Sequence, residues 1–181
     1  MQKARLEELY INEIRGKLKN SLGIQNIMEV PKISKIVLNI GVKDAISDSK
    51  SVQYVYDVVA KISGQAPVKT LARKSIAGFK LREGMPIGVM VTLRKKKMYE
   101  FLDKLINLAL PKVRDFQGIP TKFDRRGNYN LGLKDWSVFP EINLAVSDKV
   151  HGINITIQTT ANTDAHGFEL LKHFGMPFRK A

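Results

Sequence analysis

Two histidines and a glutamate near the end of the chain come nearest, by type and spacing, to a metal site. His166, Glu169 and His173 could share one face of a helix and offer nitrogen and oxygen ligands to a metal ion. The spacing matches no established metal motif, so we expect these residues to be solvated or to interact with the helix itself. The sequence therefore predicts no bound metal here.

Three aspartates in the middle of the chain could hold Mg²⁺ in a nuclease, but they lie beside glycine turns, where aspartate is usually a turn residue. These residues are Asp115, Asp124 and Asp135. The sequence has no Gly-Lys-Ser phosphate loop and no Gly-x-Gly-x-x-Gly. The absence of cysteine excludes disulfides and thiolate metal sites. We therefore expect no enzyme activity and no cofactor.

Positive charge is the strongest chemical signal in the sequence. Lys and Arg number 30 against 17 Asp and Glu, and the net charge is +13. Residues 66–98 hold nine basic residues and one acid, Glu83, so this window alone carries +8. A cluster this dense is typical of a surface that binds the phosphates of nucleic acid. The nine are Lys69, Arg73, Lys74, Lys80, Arg82, Arg94, Lys95, Lys96 and Lys97.

Part of this window is too long for a hairpin turn. Residues 72–86 form a polar, glycine-containing stretch, and long loops in a compact domain are usually functional or disordered. Ile76, Phe79 and Leu81 argue against disorder. We predict a protruding basic loop with a few apolar side chains.

The elements that position these residues follow from apolar periodicity. Helical spacing predicts helices over 1–22, 51–63, 97–110 and 164–174, with Asp164 as the cap of the last. Period-two alternation predicts strands over 33–42, 68–71, 87–93 and 151–159, and residues 112–149 form an irregular insertion. The basic side of the first helix, with Arg5, Lys17 and Lys19, is either a solvated face or an RNA contact.

This order predicts an α+β fold. A β-α-β-β-α-β core after an N-terminal helix gives a mostly antiparallel sheet with helices packed on one face and the other face open. We expect one domain over residues 1–181. The open face would carry Lys35, Asn39, Thr92 and Arg94. This topology resembles the RNA-recognition motif, but the open face has no aromatic residue on which bases could stack, so a folded RNA surface fits better than a single strand.

Seven ordered blocks of the sequence resemble the family of the fifth large-subunit ribosomal protein, in its bacterial form. The block Ile62–Ser75 is similar to the family signature, and the similarity extends over nearly the whole chain. At two positions the sequence departs from the family pattern: Arg125 stands where glycine is common, and Trp136 stands at a usually polar position. The other blocks are Pro31–Val42, Ile76–Gly88, Arg126–Gly132, Phe139–Ile142, Ile155–Ala161 and Phe174–Phe178.

The resemblance implies a structural, RNA-binding role on the large ribosomal subunit. It implies binding of 5S rRNA in the central protuberance beside large-subunit rRNA, a loop that reaches the peptidyl-site tRNA, and a bridge to the thirteenth small-subunit protein. Asn39, Gln65 and Thr92 would take the family's hydrogen-bonding positions to 5S rRNA, and we add Lys35, Lys69 and Arg94 as cations of the same site. The tRNA-contacting loop would use Arg73, Lys74, Lys80 and Arg82.

Two other classes of function stay open at this point. An RNA-processing enzyme would need a catalytic cluster, which the sequence does not offer. A peripheral membrane protein would lay its amphipathic first helix on lipid, but Glu7, Glu8 and Glu13 disfavour that arrangement. The N-terminus does not resemble a secretory signal, and no apolar run approaches the ~18 residues that span a bilayer. We therefore expect a cytoplasmic protein with no membrane partner.

Overall fold

Five strands form an open antiparallel sheet in the order β2-β3-β1-β5-β4. A computed structural model describes residues 3–46, 49–142 and 150–179. The predicted α+β class, with an N-terminal helix and helices beside an open sheet, is confirmed. The strands are β1 (Ile33–Gly41), β2 (Val68–Leu71), β3 (Pro86–Leu93), β4 (Tyr129–Leu133) and β5 (Ile153–Thr159).

The helices lie close to where apolar spacing predicts them. Two of them contain a π-helical turn, at Tyr10–Ile14 and at Leu105–Ala109, and the second continues as a 3-10 turn at Leu110–Lys112. Pro111 therefore lies inside the last turn, and the chain becomes extended at Val113. The α-helices are α1 (Arg5–Leu9), α2 (Arg15–Ser21), α3 (Ser49–Ser63), α4 (Lys95–Lys104) and α5 (Asp164–His173).

The central strands show why the sheet has two different faces. In β1, Ile36, Leu38 and Ile40 are completely buried, whereas Val37 is half-buried and Asn39 is exposed. Successive side chains of a strand point to opposite faces, so one face is covered and the other is not. This is the alternation that the sequence predicts for β1.

The insertion at 112–149 is more regular than predicted. It contains strand β4 at the edge of the sheet beside β5, and a 3-10 turn at Trp136–Val138. Tyr129, Leu131 and Leu133 are the buried positions of β4. Three alternating residues between turns are a weak strand signal, so the pattern does not predict this strand. Residues 143–149 of the insertion lie outside the described residues.

The cap of α5 also differs from the prediction. The Thr163 side chain accepts the backbone N–H of His166 and is the N-cap. Asp164, one residue later, accepts the backbone N–H groups of Arg125 and Gly127 at 3.1 and 3.0 Å. Asp164 therefore fixes a distant turn and does not cap its own helix.

The chain divides into two compact units, and each is described by itself below. Unit 1 comprises Met1–Ile36, Leu93–Leu131 and Thr156–Ala181, and unit 2 comprises Val37–Thr92 and Gly132–Ile155. In unit 1 the Tyr10 and Phe174 rings stack at 5.9 Å, and the Tyr10 hydroxyl donates to the Pro31 carbonyl at 3.0 Å. Among the described helices, none has the length and apolar character needed to cross a membrane.

Candidate nucleic-acid interface

Asn39 and Thr92 lie on the uncovered face of unit 2. Asn39 is exposed in β1, between the buried Leu38 and Ile40, and Thr92 is half-buried in β3, between the buried Val91 and Leu93. Among the described residues, the Asn39 amide has no hydrogen-bond partner. An unpartnered amide and a hydroxyl on a flat surface can donate and accept hydrogen bonds from a polar ligand.

Gln65 is fixed beside Thr92 by the end of α3. Gly64 has φ +61°, the left-handed conformation that commonly ends a helix, and it turns the chain toward β2. The Ser63 hydroxyl donates to the Gln65 carbonyl at 2.9 Å. The Gln65 Nε2 then donates to the Thr92 carbonyl at 3.2 Å. The structure therefore brings the Gln65 side chain into hydrogen-bond contact with the backbone of Thr92.

Lys69 lies on the other face of the sheet. Strand β2 pairs with β3 so that Lys69 is opposite Val89, and Val89 is completely buried on the helix side. The Lys69 Nζ contacts the Gln53 Oε1 at 2.7 Å and lies 5.6 Å from the centre of the Tyr56 ring, both on α3. Directly paired residues share a face. The structure therefore does not bring Lys69 together with Asn39 and Thr92.

Thr70 is an uncovered-face residue that the sequence analysis missed. Its partner in β3 is Gly88, and a Cβ added to Gly88 would lie 2.8 Å from the Thr70 Oγ1 and 2.7 Å from the Ile40 carbonyl oxygen. Glycine thus lets three strands approach closely and keeps the surface flat. The register that pairs Val68 with Met90 and Lys69 with Val89 also places Thr70 here, and no local pattern shows this register.

Lys35 and Arg94 belong to unit 1. Lys35 is half-buried in β1 at the same alternating position as Asn39, and Arg94 is exposed directly after β3. Arg94 is the N-cap of α4, in extended conformation and without a side-chain cap. Lys35 therefore occupies the alternating strand position that the sequence predicts, whereas Arg94 lies just beyond the end of its strand.

The basic loop, residues 72–86, is folded on itself. The backbone N–H of Ala72 donates to the Met85 carbonyl at 2.8 Å, and that of Gly84 donates to the Ala72 carbonyl at 3.0 Å, which closes the base of the loop. Ile76 and Leu81 form an isolated antiparallel bridge around a 3-10 turn. These bonds give the loop a defined shape without a core of its own.

The basic loop presents its cations to solvent. Arg73, Lys74, Lys80 and Arg82 are all exposed, and within the described residues none of them forms an ion pair. The Phe79 side chain between them is 69% exposed. Four unneutralised cations beside an exposed ring form a surface suited to a phosphate backbone.

The remaining candidates do not assemble into a site. The His173 Nε2 lies 3.9 Å from the Glu169 Oε2, and among the described residues no group of three His, Cys, Asp or Glu could hold a metal ion. Asp124 accepts the backbone N–H groups of Arg126 and Asn128, and Asp135 accepts that of Ser137. These two aspartates are turn residues, as predicted.

Trp136 is a core residue. It is 1% exposed and packs edge-on against the rings of Tyr54 at 5.9 Å and His151 at 4.9 Å. Burial of this large side chain within unit 2 explains why an apolar residue is accommodated at this position.

Comparison with known proteins identifies the family. A family model described as Ribosomal protein L5 matches residues 26–82, and a second model, which describes the C-terminus of the same ribosomal protein family, matches residues 86–178. The chain belongs to the uL5 family of large ribosomal subunit proteins. Its uL5 relatives include the large ribosomal subunit protein uL5 of Geobacter sulfurreducens, 58% identical over 177 residues, which are 97% of this chain and 99% of the relative. The uL5 protein of Streptococcus agalactiae is 56% identical over 177 residues, 97% of this chain and 98% of the relative.

Membership of the uL5 family sets the broad function. The chain is a structural constituent of the large ribosomal subunit, a cytoplasmic particle in bacteria, and it is not an enzyme. Asn39, Gln65 and Thr92 and the four loop cations Arg73, Lys74, Lys80 and Arg82 all fall inside the matched ranges, 26–82 and 86–178.

Proposed function

We propose that the uncovered sheet face of unit 2 binds 5S rRNA and so helps to attach it in the central protuberance of the large subunit. The observation that carries this proposal is the exposed, unpartnered Asn39 amide on the same sheet face as Thr92, to whose backbone carbonyl Gln65 donates. The three residues offer uncharged donors and acceptors on a flat surface, which suits the grooves and backbone of a folded RNA. Lys35 and Arg94 supply phosphate contacts in this proposal.

Lys69 has a different part in the proposal. Its ammonium group contacts Gln53 and Tyr56 on the helix side, so it does not reach an RNA that lies against Asn39. We propose that Lys69 orients α3 against β2 and acts on 5S rRNA only through the overall positive potential of the chain.

We also propose that the basic loop contacts the peptidyl-site tRNA and that the chain takes part in a bridge to the thirteenth small-subunit protein. The exposure of all four loop cations supports the first contact. The family resemblance supports the second. In this proposal the sheet face recognises one RNA while the loop holds another by its phosphates, which position a complex without reading its sequence.

A titration of labelled 5S rRNA tests the sheet-face proposal. Asn39→Ala, Gln65→Ala and Thr92→Ala should each weaken binding by about 1–3 kcal/mol, because each leaves polar groups of the RNA unpaired. Thr92→Val should match Thr92→Ala, since it removes the hydroxyl but keeps the branched shape. Circular dichroism should stay native in all four variants.

Matched controls lie at exposed positions elsewhere in the chain. Asn12→Ala, Gln117→Ala and Thr121→Ala remove the same functional groups from exposed positions of unit 1 that are not part of the proposed site, and they should bind 5S rRNA like the wild type. Wild-type affinity in the three sheet-face variants would show that this face is not the 5S site. Equal losses in the controls would show that the effect is not specific to the face.

A further inference from the structure

Unit 1 carries a group of unpaired cations that lies outside the basic window at residues 66–98. Lys122, Arg125, Arg126 and Arg179 are all exposed, and within the described residues none of them forms an ion pair. We name these four residues the unit 1 basic surface. Neither the sheet-face proposal nor the basic loop uses any of them.

Packed aromatic rings bring the two ends of this surface together. Lys122 and Arg179 are the chain neighbours of Phe123 and Phe178, whose ring centres lie 6.2 Å apart. The Arg179 backbone N–H also donates to the Ile119 carbonyl at 2.9 Å, so the end of the chain runs beside the segment that leads to Lys122. The two cations therefore flank one pair of packed rings, and Arg125 and Arg126 follow in the next turn.

The two acids of that turn are engaged by the main chain. Asp164 accepts the backbone N–H groups of Arg125 and Gly127, and Asp124 accepts that of Arg126 at 2.8 Å. Within the described residues, neither carboxylate forms an ion pair with a guanidinium group. The four cations therefore outnumber the two acids, and the backbone N–H groups hold the carboxylates while the arginine side chains stay exposed.

The chemistry of this surface fits phosphate. Three of the four cations are arginine, whose planar guanidinium can donate two parallel hydrogen bonds to one phosphate group. Arg125 has φ +69°, a left-handed conformation that costs a residue with a Cβ roughly 1–2 kcal/mol. Backbone strain that persists at an exposed residue is typical of functional positions. The Arg125 side chain thus points to a role in binding, since the turn does not need it for its shape.

We infer that the unit 1 basic surface binds the phosphate backbone of the large-subunit rRNA. The inference rests on the proposed function, because a chain that helps to attach 5S rRNA must hold the rest of the subunit through a second surface. In that proposal the sheet face of unit 2 is occupied by 5S rRNA and the basic loop by tRNA. The phosphate contacts of unit 1 would then position the chain on the subunit without reading the rRNA sequence.

Directed hydroxyl-radical cleavage in assembled large subunits tests the inference. The chain contains no cysteine, so one introduced cysteine can carry a tethered Fe(II)-EDTA probe. Arg125→Cys and Arg126→Cys, labelled before incorporation, should cleave the large-subunit rRNA at overlapping sites, which primer extension maps. Lys17→Cys is the control, because Lys17 is exposed and already paired with Glu13, and it should not cleave those nucleotides. Cleavage confined to 5S rRNA, or none from either turn position, would overturn the inference.

The contribution of the arginines is tested by rebinding the chain, in complex with 5S rRNA, to large subunits prepared without it. Arg125→Gly/Arg126→Gln should bind roughly tenfold more weakly than the wild type, with native circular dichroism. Arg125→Lys/Arg126→Lys keeps the charge and should lose less. Lys17→Gln/Lys172→Gln removes two exposed cations that are already ion-paired, and it should bind like the wild type. Equal losses in the two variants that lower the charge would mean that only net charge matters, and the site would be excluded.

A titration of isolated 5S rRNA separates this inference from the proposed function. Arg125→Gly/Arg126→Gln should bind isolated 5S rRNA like the wild type, and a loss there would assign the turn to 5S rRNA and overturn the inference. The sheet-face variants should show the opposite behaviour in the same titration. Their failure would remove the sheet-face proposal, whereas cleavage of the large-subunit rRNA from Arg125→Cys would still locate unit 1 on that RNA.

Discussion

Arg125 has a backbone conformation that favours glycine. Its φ is +69°, in the left-handed region that costs residues with a Cβ roughly 1–2 kcal/mol. The turn keeps this shape because Asp164 accepts the backbone N–H groups of both Arg125 and Gly127, and Asp124 accepts that of Arg126. Glycine, which the family resemblance implies at this position, would fit the conformation without strain. The shape of the turn is therefore set by its backbone hydrogen bonds and not by the side chain of Arg125.

Replacing Arg125 by glycine should stabilise the isolated chain. We expect Arg125→Gly to raise the free energy of unfolding by about 0.5–1 kcal/mol, since relief of the left-handed strain outweighs the added freedom of the unfolded chain. Urea denaturation followed by circular dichroism measures this change. Arg126→Gly is the matched control, because Arg126 has no positive φ, and it should not stabilise. A loss of stability in Arg125→Gly would contradict the explanation.

Residue roles divide into those that local sequence determines and those that need the register of the sheet. The turn roles of Asp124 and Asp135 follow from their glycine-rich surroundings, and the exposure of Asn39 follows from alternation in one strand. The face of Lys69 depends on its pairing with Val89, and no feature of residues 68–71 alone reveals that partner. For the same reason, the position of Thr70 on the uncovered face cannot be predicted from the sequence.

At the scale of elements, β3 shows how one glycine holds a sheet together. A Cβ on Gly88 would lie 2.7 Å from the Ile40 carbonyl oxygen, which belongs to the backbone of β1 and cannot move independently. Its other neighbour is the Thr70 hydroxyl at 2.8 Å on β2. Gly88 therefore permits β3 to lie close to both of its neighbours, β2 and β1.

Gly88→Ala should destabilise the chain and weaken 5S rRNA binding together. The methyl group forces a backbone shift in the sheet, and overpacking of this kind costs typically ~1–3 kcal/mol. Thermal denaturation and a 5S titration measure the two effects. Gly78→Ala is the control, because nothing lies within 4 Å of its added Cβ and its φ is not positive, so it should leave both quantities near the wild type. Wild-type stability of Gly88→Ala would show that the strands can separate at no cost.

Most elements can be predicted because their apolar periodicity is long. Strand β5 alternates over its whole length, and α3 has apolar residues at helical spacing over four turns. Strand β4 escapes prediction since Tyr129, Leu131 and Leu133 give only three alternating positions between Gly127 and Trp136. Apolar spacing predicts the N-terminal helix as one unbroken α-helix, because a π-helical turn leaves no mark in that spacing. Short elements need tertiary contacts to define them.

The N-terminal helix is joined to α4 by an ion pair that should give unit 1 a pH dependence. Arg5 contacts Asp103 with two hydrogen bonds, at 2.5 and 3.0 Å, and Asn107 donates to the same carboxylate. The hydrogen bond from Arg5 lowers the pKa of Asp103 below its usual value of 3.8, and the contact raises the pKa of Arg5. A lowered carboxylate pKa stabilises the folded state above pH ~4, and this contribution is lost as pH falls through the folded-state pKa.

Asp103→Asn should therefore lower the melting temperature at pH 7, and the difference from the wild type should shrink as the pH falls below about 4. Melting curves from pH 7 to pH 3 measure it. Arg5→Gln and the double variant complete a double-mutant cycle. The coupling free energy between Arg5 and Asp103 should be present at pH 7 and absent at pH 3. A coupling that is the same at both values would show that the charge of Asp103 contributes nothing. Arg5 is largely exposed, so the effect should also decrease in salt.

At the scale of the whole molecule, the proposed functions use two kinds of surface. The sheet face offers uncharged groups with little freedom, and the basic loop offers Arg73, Lys74, Lys80 and Arg82 on a segment that is closed at its base and bridged between Ile76 and Leu81. Glu83 is the single acid between residues 66 and 98, so the charge of the loop is not neutralised locally. If the sheet face holds 5S rRNA, the loop cations are left for a second polyanion, for which we propose the peptidyl-site tRNA.

Replacing the four loop cations by alanine should leave 5S rRNA binding nearly intact at moderate salt and weaken tRNA retention on assembled ribosomes. The tRNA defect should shrink as salt rises. Each lost phosphate contact makes the slope of log binding constant against log salt concentration less steep by roughly 0.7–0.9. A filter-binding series in KCl measures both. A matched variant removes four cations outside the loop and should retain tRNA like the wild type. Its positions are Lys112, Arg114, Lys122 and Arg179.

The isolated 5S titration of the loop variant decides between two views of the molecule. In one, the sheet face and the basic loop form a single clamp on 5S rRNA, and removal of four cations then costs several log units of 5S affinity. In the other, the two surfaces serve two RNAs, and the 5S affinity falls only by the small amount expected from a lower net charge, as in the matched variant. The defined fold of the loop, closed at Ala72 and Met85 and separate in its contacts from Gln65 and Thr92, favours the second view. A large loss of 5S affinity in the loop variant, with none in the matched variant, would establish the first.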